Sequence, residues 1–239
     1  NFYGNYMDYD DALWNYYTDE NESPEENPSD FIYHISLGLG AKNILEGGCN
    51  RGNNLLSFPS NFDVNGFDLN EYALEITKKR FPDFKFKVGS LTEIPYPDNS
   101  FDFIYSLSVL EHVSDLPALM KEAARVLRPG GRFYISFPNR FALKETHTGV
   151  WFVSYLPRFL ARPLLKIRTG SDAMDALNLH FLSFFSFKRI IKGTGFSILF
   201  DVESKGTLQH AVKRLLAGLG IHYSALLSTI MIVLEKPSV

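Results

Sequence analysis

Glu46 ends the apolar run Ile44-Leu45 and leads into Gly47-Gly48-Cys49-Asn50-Arg51-Gly52-Asn53-Asn54-Leu55, and a second acid, Asp68, follows 22 residues later. A short apolar strand running into a glycine-rich turn and a helix start is the layout of a nucleotide-binding loop. Glycines let the backbone approach a ligand, and a helix N-terminus offers unpaired N–H groups. Asp68 closes a second strand, 64–68, where an acid can hydrogen-bond the two hydroxyls of a ribose. Two acids and one glycine turn imply an adenosine-type cofactor. Glu46 would repel a pyrophosphate but attract an ammonium group, which disfavours a nicotinamide dinucleotide and the oxidoreductase chemistry that goes with it.

Further blocks follow in order. Val88-Gly89-Ser90-Leu91 precedes Ile94-Pro95-Tyr96-Pro97-Asp98-Asn99-Ser100-Phe101-Asp102; then come Phe103-Ile104-Tyr105-Ser106-Leu107-Ser108-Val109-Leu110-Glu111-His112-Val113 and Leu127-Arg128-Pro129-Gly130-Gly131-Arg132-Phe133. With the glycine loop, these blocks resemble the class I S-adenosylmethionine-dependent methyltransferases, whose first motif is usually acid-x-Gly-Cys-Gly-x-Gly. The core is similar to the type 11-like group that includes ubiquinone-type O-methyltransferases, over roughly residues 40 to 140.

The resemblance implies S-adenosyl-L-methionine as cofactor and S-adenosyl-L-homocysteine as product. It puts Glu46, Gly47, Gly48, Cys49, Asn50 and Gly52 around the methionine end, and Asp68 and Leu69 at the ribose. Ser90 and Leu91 fall near the adenine, and Ser106 lines the reactive side. Two positions depart from the pattern. Asn50 stands where the middle glycine is usual, a substitution a left-handed turn tolerates because Asn enters that conformation cheaply. Ser90 replaces an acid that in many relatives accepts from the adenine amino group.

Methyl transfer is an in-line displacement, so positioning and water exclusion supply much of the catalysis and no metal is expected. A hydroxyl acceptor would need a general base, and His112, at the exit of the fourth strand, is the best-placed candidate. His147 and His180 flank an insertion and are further candidates; each also reads as a capping or packing histidine. The Asp/Asn-Pro-Pro-aromatic block of base-amino methyltransferases is replaced here by Ser106-Leu107-Ser108-Val109, which leaves small-molecule, lipid-linked or glycan acceptors, methylated at oxygen, in front. A second reading keeps the cofactor pocket but not turnover, as a partner-activating module.

The elements that must position these residues alternate. Strands are expected near 42–46, 63–68, 84–88, 101–107 and 132–137, with helices from about 53, from Asn70 to Arg80, and along Leu116, Leu119, Met120, Ala123 and Leu127. The runs 196–200 and 229–234 read as two final strands. The expectation is an α/β, Rossmann-like, doubly wound seven-stranded sheet, mostly parallel with an antiparallel final strand, plus a helical substrate cap. One domain over 1–239 accommodates this: an aromatic, acidic arm (1–30), the cofactor-binding core (40–138), a substrate-cap insertion (139–184) and the C-terminal end of the sheet (185–239).

Nine of the 27 acids lie in the first 30 residues, where there is no Lys or Arg, and the net charge is −3. That balance argues against nucleic acid as partner. Between 141 and 170, five Lys or Arg stand against one acid among many apolar residues. Segment 150–168 therefore reads either as a cap over the substrate or as a peripheral membrane contact. The single cysteine, Cys49, permits no intramolecular disulfide, and no run is apolar enough to span a membrane. With no secretory signal in view, a cytoplasmic chain, in places peripheral to the membrane, is the expectation.

Overall fold

The computed structural model describes residues 28–170, 172–199 and 207–238, so the aromatic arm lies almost wholly outside the described residues. Seven strands, β1 (Asn43–Gly47), β2 (Asp63–Asp68), β3 (Lys85–Val88), β4 (Phe101–Leu107), β5 (Leu127–Pro138), β6 (Ser197–Leu199) and β7 (Thr229–Glu235), form one sheet in the order β3-β2-β1-β4-β5-β7-β6. The pairings among β1 to β5 are parallel, and β7 is antiparallel to both β5 and β6. This is the sheet expected from the sequence. Its order reverses between β1 and β4, and the carboxyl ends of those two strands open the crevice where doubly wound sheets bind ligands.

Central strands bury both faces. Leu45, Phe67, Ile104, Phe133 and Ile135 join one core, and Ile44, Val64, Phe103, Tyr105 and Tyr134 join another, so adjacent residues in a strand point to opposite layers. Helix α1 (Pro28–Gly38) brings Ile32 to the second core. Helix α3 (Leu116–Val126) brings Leu116, Leu119, Met120, Ala123 and Val126 to the first, all on one helical stripe. Its start is fixed by Asp115, whose carboxylate accepts from Ala118 N at 3.0 Å. Helix α2 (Glu71–Arg80) is capped in the same way by Asn70, as the sequence suggests.

One expected element is missing. Instead of a helix from about 53, a single 3-10 turn, Asn53–Leu55, follows the glycine loop. Only 15 residues separate the ends of β1 and β2, and they include Asn53-Asn54 and Pro59, residues that favour turns over helix interiors. The loop therefore has no long helix behind it to lend a dipole.

The insertion after β5 builds a small core of its own. Val153, Ala161, Leu165 and Met174 are fully buried together, between the 3-10 turn Val153–Tyr155, helix α4 (Arg158–Thr169) and helix α5 (Ala173–Ala176). Helix α6 (Phe184–Ile191), opened by a capping box on Ser183, returns the chain to the sheet, and helix α7 (Thr207–Gly218) precedes β7. No helix among the described residues is long and apolar enough to cross a membrane.

Candidate active site

The loop after β1 is held by its neighbours rather than by a helix. Gly48 (φ 76°), Asn50 (φ 42°) and Gly52 (φ 78°) are all left-handed, so Asn50 takes the turn that the usual glycine would take. A Cβ on Gly48 would lie 2.6 Å from Val109 Cγ2, and one on Gly47 would lie 2.7 Å from Leu91 Cδ2. Val109 and Leu91 thus close on the loop from β4 and β3, and only glycine fits beneath them.

Asp68 clamps this loop. Its Oδ2 accepts from Asn50 N and its Oδ1 from Asn70 N, both at 2.8 Å. The carboxylate thus stands at the end of β2, beside the loop, where the sequence expects a ribose contact. From α2, the Thr77 hydroxyl donates to Asn50 O at 2.6 Å, and Arg80 donates to Arg51 O at 2.5 Å and to Asn53 Oδ1 at 2.8 Å. Sequence reading missed Thr77 and Arg80. The available signal was Thr77 itself, a polar residue on the apolar stripe of α2.

Glu46 is 1% exposed. Asn54 Nδ2 donates to its Oε1 at 2.8 Å, while Oε2 has no hydrogen-bond partner. Burial pushes its pKa up to about 8; the Asn54 bond and the nearby Tyr105 hydroxyl oppose this, and the charge of Asp68 adds to it. The carboxyl is therefore mostly neutral at pH 7 and ready to ionise against a cation.

Two expected contacts are redirected. Ser106 is fully buried and its hydroxyl donates to Gly47 O at 2.8 Å, so it ties β4 to β1 and does not line an open reactive face. Cys49 is also buried; its side chain lies against Gly66, and its N–H, with that of Gly48, donates to Phe67 O. Burial raises its thiol pKa well above the usual value, so it is inert packing. Leu91 is buried over Gly47, and Ser90 spends its hydroxyl on Thr92. Leu69 is 60% exposed beside Asp68, apolar surface open to a flat ring.

The three histidines singled out in the sequence come together. Ser108 (φ 53°) turns the chain out of β4 and seats Val109 on Gly48, and the next turn, Leu110–His112, carries Glu111 and His112. His112 Nδ1 pairs with Leu177 O at 2.6 Å, and its ring meets that of His147 edge-on, centroids 5.0 Å apart. His147 Nδ1 lies 3.0 Å from Glu145 Oε1, and its Nε2 lies 3.4 Å from Glu111 Oε1. His180 N donates to Glu111 O at 2.8 Å, and Asn178 links the His180 ring to His112 O.

Charge is concentrated here. Burial lowers the pKa of His112, against the opposing pull of Glu111. Burial also works against protonation of His147, but Glu111 and Glu145 outweigh it and hold that ring at about 9. Burial would raise Glu145, yet bonds from His147 and Thr148 bring it down to about 2. Burial lowers the pKa of His180. Glu145 was not singled out in the sequence, although it is the one acid between 141 and 170 against five Lys or Arg, and that isolation was the usable signal. A surface hollow of about 900 Å³ beside Lys188, Lys192 and Phe196 lies outside this constellation and holds none of its residues.

Comparison with known proteins decides what the loop belongs to. Residues 45–135 match the family model described as "Methyltransferase domain". Over that stretch the chain resembles a methyltransferase domain. A probable S-adenosylmethionine-dependent methyltransferase of Mycolicibacterium smegmatis is 37% identical over 101 residues, covering 41% of this chain and 39% of that protein. The ubiquinone/menaquinone biosynthesis C-methyltransferase of Rickettsia akari is 36% identical over 115 residues, 45% of this chain and 44% of the relative. The chain thus spans less than half the length of these relatives. Among solved structures, one titled as a putative sarcosine dimethylglycine methyltransferase from Galdieria sulphuraria superposes with a TM-score of 0.57 at 18% identity, covering 88% of this chain and 85% of that one, a likeness of fold.

The cofactor of the methyltransferase domain is S-adenosylmethionine, and the residues fit it. Glu46 keeps a buried oxygen without a donor, and Asp68 closes β2 beside exposed Leu69 at the same end of the sheet.

Proposed function

We propose that this chain uses S-adenosylmethionine to methylate a hydroxyl oxygen on an apolar, lipid-type acceptor. The placement of His112 carries this reading. It lies three residues from Val109, which covers Gly48, and its side chain is 26% exposed, so it borders the crevice at the end of β4. Its Nδ1–H donates to Leu177 O, which leaves the lone pair on Nε2. An oriented imidazole of this kind can take the proton of a hydroxyl as the oxygen attacks, a contribution of about 10²–10⁴-fold. When bound, S-adenosylmethionine supplies an electrophilic methyl group on sulfur. The Rickettsia relative is named for transfer to carbon, so the shared core does not dictate the atom.

The acceptor's apolar part is read from the cap. Phe141, Leu143, Trp151, Phe152, Phe159 and Ile167 are all at least 49% exposed, and the rings of Trp151, Phe152, Tyr155 and Phe141 are spaced at 6.1–6.2 Å in a chain of neighbours. Such a patch suits a bilayer surface or a lipid tail. Its electrostatic pull is smaller than the sequence suggests, because Arg158 pairs with Asp175, and Arg162 pairs with both Asp172 and Asp175.

Incubation with methyl-labelled S-adenosylmethionine and a set of phenols and alcohols, with and without prenyl or acyl tails, tests this. O-methyl products from the tailed compounds are expected, with a kcat loss of about 10²-fold or more in His112→Ala. Methyl groups on nitrogen or carbon, or equal use of the tailless compounds, would overturn the acceptor assignment.

A further inference from the structure

Glu111 is 1% exposed, and neither of its carboxylate oxygens receives a hydrogen bond. Its nearer partner is His147, whose Nε2 meets Oε1 as an ion pair at 3.4 Å. A buried carboxylate left in this state is costly, and such groups are normally paired or bound to a metal. Two imidazole nitrogens face it. His147 Nε2 is 3.4 Å and His112 Nε2 is 3.9 Å from Glu111 Oε1, and one ligand atom from each of the three residues lies within 4.8 Å of the others.

We infer that Glu111, His112 and His147 form a binding site for a divalent transition-metal cation, held by one carboxylate oxygen and two Nε2 atoms. The proposal rests on the methyl-transfer reading and changes the part His112 plays in it. With Nε2 on the ion, His112 would no longer take the proton, and the open coordination positions would bind the acceptor hydroxyl and lower its pKa so that the proton leaves to water. Three features support it besides the orphaned carboxylate.

The first is distance. Bonds of about 2.0–2.2 Å to one cation put neighbouring ligand atoms about 3.0–3.6 Å apart; the two spacings from Glu111, 3.4 and 3.9 Å, are within a few tenths of an ångström of that, and all three atoms lie within 4.8 Å of one another. The second is the outer layer. Metal-bound histidines donate their other N–H to a carboxylate or carbonyl, which leaves the remaining nitrogen as the ligand. His147 Nδ1 pairs with Glu145 Oε1 at 3.0 Å, and His112 Nδ1 pairs with Leu177 O at 2.6 Å. Glu145 is itself held by Thr148 N and the Thr148 hydroxyl.

The third is charge. Glu111 and Glu145 are both buried, and among the described residues no Lys or Arg forms an ion pair with either; Arg140 only lines the small hollow between them. A divalent cation would replace the proton that His147 otherwise carries between these two carboxylates, as metal binding to imidazole releases protons. Two nitrogens and one oxygen select zinc, manganese, iron or cobalt over magnesium or calcium. The sequence hid this site because His147 lies 35 positions beyond His112 and no metal-ligand spacing joins them.

The test uses the whole chain, free of any affinity tag, stripped with a chelator and dialysed against micromolar Mn²⁺, Zn²⁺ or Co²⁺. Metal content, the visible spectrum of the Co²⁺ form and S-adenosylhomocysteine binding are read on the same samples. About one ion per chain is expected, with Mg²⁺ failing to displace it. Glu111→Gln and His147→Ala should weaken binding by about 100-fold or more, and Glu145→Gln, which removes an outer contact, by about 10- to 100-fold. Each variant should still bind S-adenosylhomocysteine, which shows that it is folded. Wild-type protein that binds S-adenosylhomocysteine but holds no ion, or holds it equally in all variants, would overturn the metal site alone. Protein that holds the ion but not S-adenosylhomocysteine would instead overturn the cofactor reading.

Discussion

Replacing Glu46 by Gln should remove most of the pH dependence of cofactor binding. In the unliganded chain, burial holds this carboxyl up to about 8, against 4.5 for an unhindered glutamate. A positively charged amino acid moiety beside it favours ionisation, so binding should release the proton. Well below pH 8 each unit of acidification then costs about tenfold in affinity, roughly 1.4 kcal/mol, and the whole step from pH 8 to pH 6 costs about 50-fold, roughly 2.3 kcal/mol. The sign for folding is opposite. Between pH 4.5 and about 8 the folded chain holds a proton that the unfolded chain has lost, so the unliganded protein loses stability as pH rises through that window. Glutamine mimics the protonated form and should flatten both trends. Calorimetric titration with S-adenosylhomocysteine in buffers of different ionisation enthalpy counts the protons directly. The same proton count and the same affinity slope in wild type and Glu46→Gln would refute the reasoning.

Other outcomes follow from the same contacts. Asp68→Ala should weaken S-adenosylhomocysteine binding at least tenfold, about 1.4 kcal/mol, because it removes the charged acceptor that orders Asn50 and faces the ribose; unchanged affinity in calorimetry would contradict this. Thr77→Val should destabilise the fold by about 1–2 kcal/mol in urea melts, because Asn50 O loses its buried donor. Asp102 accepts from Lys42 N, Asn43 N, Asn43 Nδ2 and Arg128, and these bonds overcome the effect of burial and depress its pKa to about 2. Its stabilisation is therefore present above pH 3.8 and lost as pH falls towards 2. Asp102→Asn should lower the melting temperature at pH 6 and converge on wild type near pH 2.

Much of the fold was legible because the strands bury alternating or continuous apolar runs and the helices carry clear caps. Asn70 and the stripe from Leu116 to Ala123 behave as their patterns predict. The glycine loop was legible as a loop but not in its support. Local sequence suggested a helix after Gly52, whereas Asp68, Thr77 and Arg80 hold the turn through contacts 18 to 29 residues distant. Ser106 and Cys49 turn their side chains inward, which the sequence could not show for the same reason: position in a motif does not say whether a side chain faces the crevice or the layer beneath it. Residue type alone picked out His112, His147 and His180. Their common neighbours Glu111 and Glu145 became meaningful only once β4 and the insertion were brought together.

The most direct test of the account is calorimetric titration of the purified chain with S-adenosylmethionine and S-adenosylhomocysteine, with NAD as the control. Saturable micromolar binding of the first two, and none of NAD, is the predicted result. Folded protein that binds neither sulfur compound would contradict the central claim.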